Sequence, residues 1–165
     1  MTKHIAMAAC LALVSTGLAG CGVMGSGAES EIVRIETDDP AIVAAKADAR
    51  ASLPEFWERL EKPTMFERNF GLKFNLNHDQ PDVEEPEIIW TTEVERKKDG
   101  RILATLSNVP LTPGYQIGQR VEIPEDAITD WQIERRGKLD GHYSTRVLLA
   151  KMPADQAAMI KEQLW

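Results

Sequence analysis

The chain predicts an α+β fold: N-terminal helices packed on a strongly twisted antiparallel sheet of about five to six strands, with a C-terminal helix. Three observations carry this prediction. Ile42, Ala45 and Ala49 recur at helical spacing behind an acidic residue and a proline. Phe70, Leu72, Phe74 and Leu76 alternate with Gly71, Lys73 and Asn75, which is the two-residue period of a strand with one wet face. Asp99-Gly100 stands between two strand-like runs, a strong hairpin signal because glycine accepts the positive φ of a tight turn.

Each element follows from local chemistry. Thr37-Asp38-Asp39-Pro40 opens the first helix, with a capping carboxylate and a proline whose missing N–H costs nothing there. The helix runs from Ala41 to about Ala51, and Leu53-Pro54 breaks it because a residue before proline disfavours the helical region. Pro54 opens a second short helix carrying Phe56, Trp57 and Leu60, ending near Lys62-Pro63. After the strand over Phe70 to Leu76, His78 to Glu87 is acidic, holds Pro81 and Pro86, and reads as a loop. Ile88 to Arg96 and Arg101 to Ser107 form the hairpin arms, and Pro110 to Gly118 is a turn-rich connection. Gln119 to Ile123 is a short strand, Pro124 to Ala127 a tight turn, and Thr129 to Arg135 a strand with Trp131 and Ile133 on one face. Gly137 to Gly141 reads as a turn and Tyr143 to Leu149 as the last strand. Pro153 opens a terminal helix with Ala157, Ile160 and Leu164 facing inward.

The N-terminus carries a different message. Lys3 and His4 precede an uncharged run from Ile5 to Leu18, which ends in Leu18-Ala19-Gly20-Cys21. That tetrapeptide resembles the bacterial lipobox. The resemblance implies cleavage before Cys21, thioether diacylation of its sulfur and acylation of the new amine. A transmembrane anchor is the competing reading, but the run is shorter than the roughly 20 residues a span needs. The expected organisation is a signal peptide over residues 1–20, a lipidated tether over 21–36 and one domain over 37–165. Cys10 leaves with the signal, so the only other cysteine is Cys21 and no intrachain disulfide is expected. Gly22, rather than an aspartate, follows Cys21, which by resemblance to diderm lipoproteins favours the periplasmic face of the outer membrane.

Bulk charge narrows the partners. The net charge is −7, and the signal removes Lys3 but no acid. Nucleic acid is not expected, because counterion release needs clustered Lys and Arg. Membrane attachment is assigned to the acyl chains, each buried methylene contributing ~0.8 kcal/mol. A further envelope protein is the expected partner.

No catalytic constellation stands out. His78 and His142 are far apart, so no metal site and no cofactor is expected. No Gly-x-Ser-x-Gly elbow or phosphate-binding glycine loop occurs, and Glu84-Glu85 and Glu125-Asp126 read as solvated loop charge. Trp90, Trp131 and Tyr143 either pack the core or line a groove. Asp130 and Arg146 on adjacent strands could meet as a bidentate pair, with His142 and Tyr143 completing an anion-recognising patch. The other reading has Asp130 capping a turn and Arg146 tying strands.

Several of these stretches together resemble the bacterial domain of unknown function 2314 (YegJ-like) family. They are Leu53-Pro54-Glu55-Phe56-Trp57, Phe70-Gly71-Leu72-Lys73-Phe74, Glu87-Ile88-Ile89-Trp90 and the Asp99-Gly100 hairpin. The most specific are Gly118-Gln119-Arg120-Val121, Ile128-Thr129-Asp130-Trp131 and Gly141-His142-Tyr143-Ser144-Thr145-Arg146. Family members tend to carry an acid at the position of Gln119, and many have threonine at that of Ser144. The resemblance implies the fold class and brings no activity with it. The C-terminal pattern is also similar to that of small bacterial immunity-type domains that bind toxins, an analogy of fold level only. The expected function is therefore a lipid-anchored envelope lipoprotein with a non-enzymatic binding domain. Its candidate surface comprises Trp90, Asp130, Trp131, His142, Tyr143 and Arg146. The alternatives are an envelope hydrolase with a cleft near Asp130, His142 and Arg146, and an immunity-like toxin binder.

Overall fold

A computed structural model describes residues 5–6, 34–35, 39–80 and 86–165 of the 165. Leu18-Ala19-Gly20-Cys21, Cys10, His4, Glu84-Glu85 and most of the tether lie outside the described residues. Two very short strands, β1 (Ile5–Ala6) and β2 (Arg34–Ile35), pair with each other apart from the main sheet.

The domain begins at α1 (Pro40–Ala51), where the Asp39 carboxylate accepts the Ala41 N–H at 2.8 Å. Ile42, Ala45 and Ala49 form its buried stripe, as their spacing predicts. Ser52 separates α1 from α2 (Leu53–Glu61), whose Leu53, Phe56 and Trp57 are buried. The chain then enters β3 (Glu67–Asn75), β4 (Ile88–Arg96) and β5 (Ile102–Leu106). The β4–β5 hairpin turns at Asp99-Gly100, with Gly100 at φ 89° and Lys97 N–H bonded to the Arg101 carbonyl at 2.8 Å. Next come β6 (Arg120–Glu122), a 3-10 turn over Glu125–Ala127, β7 (Ile128–Arg135) and β8 (Lys138–Gly141). Two helices, α3 (Tyr143–Leu149) and α4 (Ala154–Glu162), complete the fold.

All six strands of the main sheet run antiparallel in the order β6-β5-β4-β3-β7-β8. The α+β architecture is the one the sequence predicts, with two corrections near its C-terminal end. Residues 137–141 are not a turn. Only Arg136-Gly137 turns, at φ 51° and 76°, the paired positive values of a two-residue hairpin, and Lys138–Gly141 becomes β8. Tyr143–Leu149 is not a strand but α3. Tyr, Thr and Val incline this segment to a strand, but the Asp130 carboxylate takes the N–H groups of Tyr143 and Ser144 at 3.0 and 2.8 Å. A distant residue thus satisfies the helix start.

A third correction concerns β3. Its alternation predicts one wet face, yet Lys73 is only 2% exposed beside Leu72 and Phe74. Leu72, Phe74, Ile89, Ile128, Trp131 and Ile133 join Phe56 and Trp57 in the main core. The neighbours of Lys73 in register are Trp90 on β4 and Asp130 on β7, so these three share the opposite face. At the C-terminus the helix starts at Ala154, with Pro153 just before it. Ala157 and Ile160 are half-buried, and Leu164 is buried beyond the helix end, where it bridges to Leu139 of the β8 edge.

Candidate functional site

The concentration of buried polar groups lies where β8 gives way to α3. His142 N–H still bonds the Trp131 carbonyl at 2.9 Å, continuing the ladder, and His142 itself turns left-handed at φ 54°. The chain then coils into α3 alongside Asp130. Asp130 is fully buried and accepts from the backbone N–H of Trp131, Tyr143 and Ser144 and from the Ser144 hydroxyl at 2.6 Å. Lys73 Nζ donates to the same Ser144 Oγ at 3.1 Å and stands 5.4 Å from the centre of the Trp90 ring. Burial lowers the Lys73 pKa to about 8, with Lys46 repelling the ammonium and Asp130 opposing the fall.

His142 completes the cluster. Its ring lies 4.7 Å from that of Trp90, centre to centre. Nε2 donates to Gln132 Oε1 at 2.8 Å, which leaves Nδ1 to accept the Thr145 hydroxyl at 3.1 Å. Burial, reinforced by Lys73 and Arg146, holds its pKa down to about 3. The imidazole is therefore neutral at pH 7.

That neutrality has a measurable consequence. Unfolded histidine titrates near 6.5, so below that pH the unfolded chain takes up a proton that the folded chain refuses. Stability is retained above pH 6.5 and lost as pH falls toward 3. We expect about 2 kcal/mol of loss between pH 8 and pH 5 from this group. Urea unfolding of His142→Asn, a residue that tolerates the left-handed backbone, should show a flatter pH dependence over that range. An unchanged slope would mean that His142 is accessible to protons when folded.

The predicted residues are thus brought close, but not as one exposed surface. Asp130, Trp131 and His142 are buried, Trp90 and Tyr143 are half-buried, and Arg146 is exposed. Trp131 points into the main core, where it meets Phe56 and Tyr143 and donates from Nε1 to Ser52 Oγ at 2.8 Å. Asp130 and Arg146 do not pair. Arg146 instead donates to the backbone carbonyls of Gly141 and Trp165 at 2.9 and 2.6 Å, tying the C-terminus to the end of β8.

Lys73, Gln132, Ser144 and Thr145 are the members that sequence reasoning did not select. One signal existed for Lys73: it is the single charge inside the run Phe70 to Leu76. Ser144 had none, because its partners lie 14 and 71 residues away.

A second polar cluster surrounds Arg59 of α2, which donates to Glu67, Asp140 and Glu55 at 2.7, 2.9 and 3.1 Å. It lines an open cleft of about 350 Å³ with Glu58, Lys62, Thr64 and Arg135. Four acids and three bases line it, so most of its charge is balanced within the cleft. Among the described residues no group of three His, Cys, Asp or Glu side chains is placed to hold a metal ion.

Fold and cluster together define an α+β domain whose polar centre is built into the sheet and sealed by a helix start. The chain belongs to the family of uncharacterised proteins conserved in bacteria, DUF2314, whose model matches residues 39–164. No curated protein and no solved structure matches the chain.

Proposed function

We propose that this protein is a bacterial envelope lipoprotein, anchored through acylated Cys21, whose domain is a non-enzymatic binding module. Leu18-Ala19-Gly20-Cys21 and the apolar run before it support the anchor. The observation that carries the non-enzymatic reading is the closure of the Lys73–Ser144–Asp130 chain. Ser144 is 4% exposed, its proton is directed at Asp130, and its lone pair receives Lys73. A nucleophilic serine needs the reverse: a neutral base taking its proton, and space for a carbonyl beside Oγ. The cluster instead neutralises a buried charge and caps α3.

The contact between Lys73 and Ser144 favours one second reading, a hydrolase using a serine–lysine pair. A fluorophosphonate probe at pH 9, where Lys73 is largely neutral, separates the two. The binding-module reading expects no adduct on Ser144; a stoichiometric adduct would support the hydrolase. Anchoring is tested by growth with a clickable fatty acid. The wild-type chain should take up label and Cys21→Ala should take up none. Equal labelling of both would overturn the anchor.

A further inference from the structure

Ser107 to Gly118, the connection from β5 to β6, contains no charged residue in a chain that is 27% charged. Val109, Leu111 and Ile117 are 74%, 78% and 56% exposed along it. Register places the loop at the end of the sheet where β3 stops and β4 starts. The β4–β5 hairpin turn lies at the opposite end.

The loop is held from beneath. The Glu87 carboxylate accepts the N–H groups of Leu111 and Thr112 at 2.6 and 2.7 Å and the Thr112 hydroxyl as well. Asn108 Oδ1 accepts the Trp90 N–H at 3.2 Å, and Gly118 N–H bonds the Leu106 carbonyl at 2.8 Å. Tyr115 packs against the main core, and Pro110 and Pro113 have no N–H to satisfy. Apolar side chains therefore project from a backbone whose donors at Leu111, Thr112 and Gly118 are already occupied. Occupied donors lower the cost of moving that part of the backbone out of water.

We propose that this loop is a membrane-contact surface, and that its occupant is the boundary between headgroups and acyl chains of a lipid bilayer. Three apolar tips fall well short of the roughly 800 Å² per partner that a stable protein interface buries. They suffice where a tether supplies a high effective concentration at the surface. An uncharged tip on a chain of net charge −7 is matched to uncharged or zwitterionic headgroups, since anionic ones would repel the rest of the protein. The inference rests on the anchored reading for that effective concentration, and its test replaces acylation with a histidine tag so that the two can fail separately.

The full chain carrying Cys10→Ser, Cys21→Ser and Leu111→Cys has one thiol, which takes an environment-sensitive fluorophore. An N-terminal histidine tag on nickel-chelating lipid holds it to phosphatidylcholine vesicles. The same chain with Lys98→Cys in place of Leu111→Cys puts the probe on the hairpin turn at the other end of the sheet. We expect a blue shift and quenching by spin-labelled lipid for the probe at 111, and water-like emission at 98. Adding Val109→Ser and Ile117→Ser should reduce the quenching. Water-like emission at both positions would overturn the proposal. So would a blue shift that rises with protein concentration without vesicles, which would indicate a second copy as occupant.

Discussion

Asp130→Ala is expected to destabilise the domain by about 3–5 kcal/mol, the range for removing one member of a buried charged pair. The size follows from what the carboxylate holds. It satisfies three backbone N–H groups and the Ser144 hydroxyl, and its charge faces Lys73, which is itself buried. Removing it takes the Asp130 charge away from a buried ammonium and opens the start of α3. Urea unfolding of Asp130→Ala, Lys73→Met and the double variant measures the coupling. The double variant should be less destabilised than the sum of the singles, because Lys73→Met also removes the charge that Asp130 attracts. Strict additivity, or a loss below about 1 kcal/mol for Asp130→Ala, would show that the pair is solvated.

Gly141→Ala is the second large effect. A Cβ built there would lie 2.3 Å from the Trp131 carbonyl oxygen and 2.6 Å from Trp131 Cε3, at a backbone φ of +81°. The oxygen is backbone and the ring is locked in the core, so neither neighbour can yield cheaply. We expect about 3–5 kcal/mol, combining left-handed strain with overpacking. Gly137→Ala isolates the first contribution. It has φ +76° with nothing within 4 Å of the added carbon, and should cost only about 1–2 kcal/mol. Equal losses at the two sites, measured by thermal or urea unfolding, would mean that the approach of β8 to Trp131 is looser than the structure has it.

These two positions also mark the boundary of what was legible. Helix α1 could be placed from residues within one turn of its start, because Asp39 and Pro40 act on their own neighbours. Trp131 and Ile133 could be assigned to one face because strand alternation is a property of the backbone itself. The β8–α3 region defeated the same reasoning. Its turn is Arg136-Gly137 rather than an asparagine or aspartate before glycine. Its helix starts on a carboxylate supplied by β7. The pairing of Asp130 with Arg146 that the sequence allowed as one of two readings is absent for the same reason, since backbone N–H groups and the Ser144 hydroxyl claim the carboxylate oxygens first.

The burial of Lys73 extends the point. Alternation assigned it correctly to the face opposite Leu72, but solvent on that face was an inference about neighbours, not about β3. Asp130, Ser144 and Trp90 reach it from three other elements.

Sequence by itself determined the α+β class, the limits of α1 and α2, the β4–β5 hairpin and the core face of β7. All of these rest on caps, turns and periodicities that act over a few residues. Tertiary contact determined the helical state of Tyr143–Leu149, the burial of Lys73 and the union of Lys73, Asp130, His142 and Ser144. A buried charge or an uncapped helix end is tolerable only when a partner from elsewhere in the chain satisfies it, and that partner is chosen by strand register rather than by local sequence.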